Sequence, residues 1–149
     1  RFWPSFKGRD GCRTPMVWDS KALNSGFSTG KPWLPVFYEH AARAVDVQLG
    51  VADSVLSHYR QTLAFRKAHA AMVDGDFAFV STNQDILAFT RMKGDETLLF
   101  VFNLTREPVD FVLPNDLKLS TAVALPGFVP VLEGRTVRLG AMDAFCARL

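Results

Sequence analysis

From Gly75 onward, apolar and polar positions fall into short β-rich runs separated by turn residues. The runs are Phe77 to Ser81, Ile86 to Met92, Thr97 to Leu104, Val109 to Leu113, Thr121 to Leu125, Thr136 to Leu139 and Ala144 to Leu149. Enrichment in Val, Phe, Leu and Thr between turn signals predicts strands, and spacings this short suit an antiparallel sandwich. Leu98-Leu99-Phe100-Val101-Phe102 is apolar at every position, the pattern of a central strand covered on both faces. Val137-Arg138-Leu139 alternates, as a half-exposed strand does. Lys93-Gly94-Asp95 and Pro126-Gly127 supply turns.

Upstream the period changes. Between Asp53 and about Lys67, Leu56, Tyr59 and Leu63 recur at spacings of three and four, which predicts one amphipathic helix capped by Asp53 or Ser54. Arg60, Gln61 and Lys67 fall on its wet side, and Arg66-Lys67 sit where cations complement the helix dipole. The apolar face needs a partner surface. Before the helix, the first fifty residues hold all three Trp, four of the eight Pro and five of the ten Gly, with no sustained period. They read as a long structured loop, of the kind that forms lids and binding surfaces on a larger scaffold. The order is loop, helix, then sandwich, with a boundary near residues 70 to 76, no internal repeat and no low-complexity tract.

Composition narrows the functional classes. With 48% hydrophobic and 21% charged residues, the 149-residue chain carries enough apolar area for a packed core. A net charge of +2, dispersed without a basic run, argues against nucleic acid as a partner. No apolar stretch reaches the roughly 18 to 20 residues of a membrane span, and Arg1-Phe2-Trp3-Pro4 lacks the core of a signal peptide. Cys12 and Cys146 have no metal-ligand spacing, and reduced, cytoplasmic thiols are the expectation, with a Cys12–Cys146 disulfide as the alternative. His40, His58 and His69 show no arrangement for a metal or a Cys-His pair, so neither a metal nor another cofactor is expected. Asn103-Leu104-Thr105 matches a glycosylation sequon but reads as a strand end.

The run Gly8-Arg9-Asp10-Gly11-Cys12-Arg13-Thr14-Pro15-Met16-Val17-Trp18-Asp19 is the most informative. It resembles the segment after the eighth barrel strand in α-glucosidases and oligo-1,6-glucosidases of glycoside hydrolase family 13, the α-amylase family. The likeness continues through Gly26-Phe27-Ser28, Lys31-Pro32-Trp33-Leu34-Pro35-Val36, Asp46-Val47-Gln48 and Asp53 to Arg60, and through Leu63 to Lys67. It extends more weakly into Gly75-Asp76-Phe77, Leu87 to Arg91 and Phe102 to Thr105. The resemblance implies a mainly β fold: a C-terminal sandwich of the α-amylase domain C type over residues 73–149. Residues 1–72 would be the end of a (β/α)₈ barrel.

The same resemblance implies hydrolysis of terminal α-linked glucose with retention. That chemistry uses two carboxyl groups about 5 Å apart, one a nucleophile and one an acid–base. In the family these follow earlier barrel strands, upstream of residue 1, so the chain alone is expected to be inactive, with the missing barrel domain as its partner and an α-glucoside as substrate of the whole. Arg13 matches the arginine at the floor of the glucose subsite, where a guanidinium grips a carboxylate in two hydrogen bonds. In the isolated chain an ion pair with Asp10 is the competing reading. Arg9, Asp10 and Trp33 are weaker substrate-binding candidates. Trp33, with Trp3, Phe6 and Trp18, is a stacking aromatic, and for each of the four loop packing competes. Two other readings differ in class: a freestanding carbohydrate-binding or protein-interaction module, and a chain that self-associates through the unpaired helix face.

Overall fold

The computed structural model describes residues 8–82 and 85–149; Trp3 and Phe6 lie outside them. The chain divides into two compact units, Arg1–Tyr59 and Arg60–Leu149.

The first unit is irregular, as its Pro, Gly and Trp content predicts. Two 3₁₀ turns, Asp10–Cys12 and Leu23–Gly26, precede two single-turn helices, α1 (Tyr38–Ala41) and α2 (Val45–Gln48). Side chains satisfy the backbone here. Asp19 Oδ1 accepts from the Lys21 and Ala22 N–H groups, and Asn24 Nδ2 donates to the carbonyls of Ser28 and Gly30, each at 2.9 Å. Asp46 accepts from the Ser20 N–H and hydroxyl, which holds its carboxyl below the ordinary value, the hydroxyl bond contributing most.

The predicted helix is α3, Val55–Ala68. Ser54 caps it, its hydroxyl accepting from the Ser57 N–H at 3.1 Å, three residues on. No residue of α3 is buried, and Tyr59 and Leu63 of the predicted apolar face are exposed. Arg66 does not stay with its own helix. Its guanidinium donates to the Met72 and Val73 carbonyls at the end of a short helix absent from the sequence reading, α4 (Ala70–Asp74). Five residues are too few to show a helical period.

Among the described residues eight strands follow: β1 (Asp76–Val80), β2 (Ile86–Lys93), β3 (Glu96–Asn103), β4 (Val109–Val112), β5 (Thr121–Val123), β6 (Val131–Glu133), β7 (Thr136–Leu139) and β8 (Ala144–Arg148). They form two antiparallel sheets, a five-stranded one in the order β1-β2-β3-β8-β5 and a three-stranded one in the order β4-β7-β6. β3 is central, as its two-sided apolar pattern requires. Period-2 alternation sends Leu99 and Val101 to the inner face, where they meet Phe111, Val137 and Leu139 of the second sheet and Leu113 just beyond β4. Leu98 and Phe100 point outward, onto Ala71 of α4, Phe65 of α3 and Cys146. β2 and β3 join through Gly94-Asp95. Gly94 adopts φ 56°, the left-handed torsion a two-residue hairpin turn needs.

Polar contacts fix α4 to the sheet, among them an ion pair of Asp74 with Lys93. Glu96 accepts from the Ala71 N–H at 3.0 Å, meets His69 Nδ1 at 2.8 Å and accepts from Arg148 at 3.2 Å. These lower the Glu96 pKa, the Ala71 N–H first and His69 next, against the opposing effect of burial. Arg91 Nε donates to the Ala71 carbonyl at 3.0 Å. At the far end of β3, Asn103 is buried and fully engaged. Nδ2 donates to the Glu107 and Gly140 carbonyls, and Oδ1 accepts from the Thr105 N–H and hydroxyl. The sequon is therefore a strand end whose amide is closed to a glycan. Cys12 and Cys146 are both free. Cys12 donates its thiol to the Arg9 carbonyl, while burial beneath α4 pushes the Cys146 thiol up to about 12, with Glu96 adding a smaller effect.

Candidate functional site

A cleft of about 300 Å³ opens in the first unit, lined by Asp10, Arg13, Pro15, Phe27, Pro32, Trp33 and Leu34. The 3₁₀ turn at Asp10–Cys12 places Asp10 and Arg13 together, because the Arg13 N–H donates to the Asp10 carbonyl at 3.1 Å. The second wall comes from the Pro-rich run, where Pro32 fixes the backbone and presents Trp33. Trp33 is 96% exposed. Three of the four sequence candidates thus share one concave surface. Arg9 does not line it; its carbonyl instead receives the Cys12 N–H and thiol. Trp18 is half exposed and outside the lining; its backbone N–H donates to the Ser25 carbonyl at 2.8 Å.

The anticipated Asp10–Arg13 ion pair is not formed among the described residues. Both side chains are exposed, where water competes with such a pair and its gain is about 1 kcal/mol at most. The guanidinium keeps its donors for another acceptor. Phe27, Pro32 and Leu34 were not singled out from the sequence as site residues, although each lies in a run that carries the family resemblance. Folding brings them opposite Arg13, which no local spacing announces.

An apolar trough with one cation and one carboxylate can orient a polyhydroxylated or anionic ligand. Double displacement at a glycosidic carbon makes a different demand. That mechanism needs two carboxyl groups about 5 Å apart, and Asp10 is the sole carboxylate in the described lining. The cleft has the makings of a binding wall.

Comparisons with known proteins extend this picture. Residues 2–75 match the catalytic domain of α-amylase, and residues 77–144 match the C-terminal domain of maltogenic amylase. The chain belongs to the α-amylase family. Among curated relatives, the probable α-glucosidase of Rhizobium meliloti (strain 1021) is 47% identical over the whole chain and 26% of that relative. The glucan 1,6-α-glucosidase of Streptococcus pneumoniae serotype 4 is 36% identical over 95% of the chain and 26% of the relative. The crystal structure of XgtA, an α-glucosyl transfer enzyme, superposes with a TM-score of 0.87 at 40% identity, over 99% of this chain and 27% of that one. Trehalulose synthase MUTB gives a TM-score of 0.78 at 30% identity, over 95% of this chain and 26% of that one. The chain spans about a quarter of the length of these relatives.

Proposed function

We propose that this chain is the C-terminal part of an α-glucosidase that releases terminal α-linked glucose from oligosaccharides with retention, and that alone it is inactive. Residues 1–72 complete the catalytic barrel and residues 73–149 form the accessory sandwich. The observation that carries this reading is the cleft itself, where Arg13 has no ion pair among the described residues and stands beside a single carboxylate. A free guanidinium on a concave apolar wall suits an acceptor supplied from elsewhere, and the relatives have three quarters of their length outside the matched region. In the complete enzyme Arg13 fixes a carboxylate at the floor of the glucose subsite, while Asp10 and Trp33 bound it. Arg9 braces the turn.

The reading extends to location. Two free thiols are what a reducing, cytoplasmic compartment leaves, and no described helix is long and apolar enough to cross a membrane.

The test is turnover of a chromogenic α-glucoside by the purified chain. The expected rate is that of the buffer blank. Turnover that disappears in Arg13→Ala would overturn the proposal. A second reading, a freestanding carbohydrate-binding module, is favoured by the exposure of Trp33 beside the cleft. Saturable calorimetric binding of maltose or isomaltose, abolished by Trp33→Ala, would establish it.

A further inference from the structure

The 3₁₀ turn at Leu23–Gly26 lies in the chain between the two walls of the cleft, and its backbone is left-handed. Asn24 and Ser25 have φ 49° and 50°, and Gly26 continues the turn at 71°. Residues with a Cβ disfavour this region, and such strain persists only where the surroundings over-determine it. Here two sets of bonds do so. On one side the Ser25 carbonyl accepts from the Trp18 and Asp19 backbone N–H groups at 2.8 and 3.1 Å, which ties the turn to the run that carries Arg13 and Pro15. On the other side the Asn24 amide donates to the Ser28 and Gly30 carbonyls, both at 2.9 Å, and so engages both of its N–H bonds. The chain then leads directly into Pro32, Trp33 and Leu34. Phe27, which also lines the cleft, sits between these two anchors.

We propose that Asn24 is a positioning residue for this cleft: its amide holds the wall at residues 32–34 in place opposite Arg13 and so sets the fit of an α-glucoside. The inference rests on the α-glucosidase reading above. What singles out Asn24 is how little else tethers that wall. Among the described residues no hydrogen bond or ion pair reaches residues 31–36, so the Gly30 carbonyl is the last bonded point before the wall. Pro32 and Pro35 stiffen the run without anchoring it. The next bond is the His40 N–H to the Phe37 carbonyl at 3.0 Å, where α1 begins. Trp33, 96% exposed, is not fixed by packing. Torsion alone gives no reason for asparagine, since glycine adopts positive φ as readily as negative. The side-chain bonds are what glycine lacks. An aspartate has the same shape, but when ionised it only accepts, and it would face two carbonyls.

In this chain, NMR relaxation reads the order of the wall. Backbone order parameters at Trp33 and Leu34 are expected at about 0.85 with Asn24 present and below about 0.6 in both Asn24→Asp and Asn24→Gly, the values that separate rigid from flexible backbone. A wall already flexible with Asn24 present, or equally rigid in the variants, overturns the proposal. The second measurement is kinetic, in a chimera in which this chain replaces the matching C-terminal quarter of the Rhizobium meliloti relative, to which it aligns over all 149 residues. Loss of the amide bonds is expected to raise KM for a chromogenic α-glucoside about tenfold with kcat held, the mark of binding weakened alike in the ground state and the transition state. A role in folding alone lowers kcat per mole of protein and leaves KM unchanged, and that result overturns the proposal. So does a native KM in Asn24→Gly, which assigns the effect to torsion and not to the amide. The two possible failures are separable. An active chimera whose KM ignores both substitutions sinks only the positioning role, and an inactive chimera with a wall that loosens in both variants sinks only the glucosidase reading.

Discussion

In the unit Arg1–Tyr59 the backbone is held by scattered turn bonds and by side chains, whereas in Arg60–Leu149 it is held by sheet ladders over a packed core. Among the described residues of the first unit, Val17 and Ala44 are the buried hydrophobics. The second buries Leu98, Leu99, Phe100, Val101, Val137 and Leu139 almost completely. Asp19, Asn24, Asp46 and Gln48 do in the loop what β3 and β8 do in the sandwich. Exposed polar bonds contribute about 1 kcal/mol each at best, while ordering each residue costs about as much. A loop so built has little apolar burial among its described residues, whereas the sandwich has a packed core.

The strongest attempt to break this contrast truncates the core. Leu99→Ala removes a fully buried side chain between the two sheets and is expected to cost about 2–5 kcal/mol, read as a lower urea midpoint by circular dichroism. Val17→Ala, in the loop unit, is expected to leave that midpoint within experimental error. Similar losses at both positions would erase the distinction.

A smaller effect tests the seam where α4 meets β1. A Cβ on Gly75 would lie 2.5 Å from the Ala71 carbonyl oxygen and 2.6 Å from that of Met92, both backbone atoms with no freedom to yield. Gly75→Ala is therefore expected to destabilise the second unit by about 1–3 kcal/mol, the usual range for forced overpacking. The Gly75 φ of −73° is ordinary, so the cause is close approach and not torsion.

These two residues also mark what was legible in the sequence. Leu99 sits in a run that is apolar on both faces, and periodicity alone places it in a central strand. Strands whose residues face a core announce themselves this way. β6 does not: Val131, Leu132 and Glu133 are all exposed, and three residues flanked by Pro130 and Gly134 carry no alternation. Nor does α4, whose five residues are positioned by Glu96 and Arg91, each at least twenty residues away in the chain. The cleft was half legible. Arg13, Asp10 and Trp33 stand in runs with a family resemblance, but which aromatics face the guanidinium is decided by the path of the loop. Trp18 and Trp33 are equivalent in the sequence and differ in the fold.

Acid sharpens the contrast through Glu96. Its carboxyl is held below the ordinary value of 4.5, so between the two values the unfolded chain binds more protons than the folded one. The stabilisation is fully present above about pH 4.5 and is lost as pH falls through the depressed value. Urea midpoints measured from pH 6 downward are expected to fall in this window, and Glu96→Gln is expected to flatten the fall while lowering the plateau. An unchanged slope in the variant would assign the acid sensitivity to other carboxylates.

The smallest effect probes the loop unit where it departs furthest from ordinary backbone. Asn24 and Ser25 are consecutive residues with φ 49° and 50°, in the left-handed region that residues with a Cβ avoid at a cost of roughly 1 kcal/mol each. Asn24 tolerates this because its amide bridges the Ser28 and Gly30 carbonyls and its short side chain suits that torsion. Asn24→Gly loses both bonds and keeps the torsion free of strain, whereas Asn24→Ala loses both bonds and adds the strain. Cleavage of the loop by a nonspecific protease should therefore rise from the native chain to the Gly variant and again, by about fivefold for roughly 1 kcal/mol, to the Ala variant. The sandwich midpoint should stay fixed in both, since neither residue touches its core. Equal cleavage of the two variants would mean that the left-handed pair is not held in solution, and that the polar bonds alone give the loop its shape.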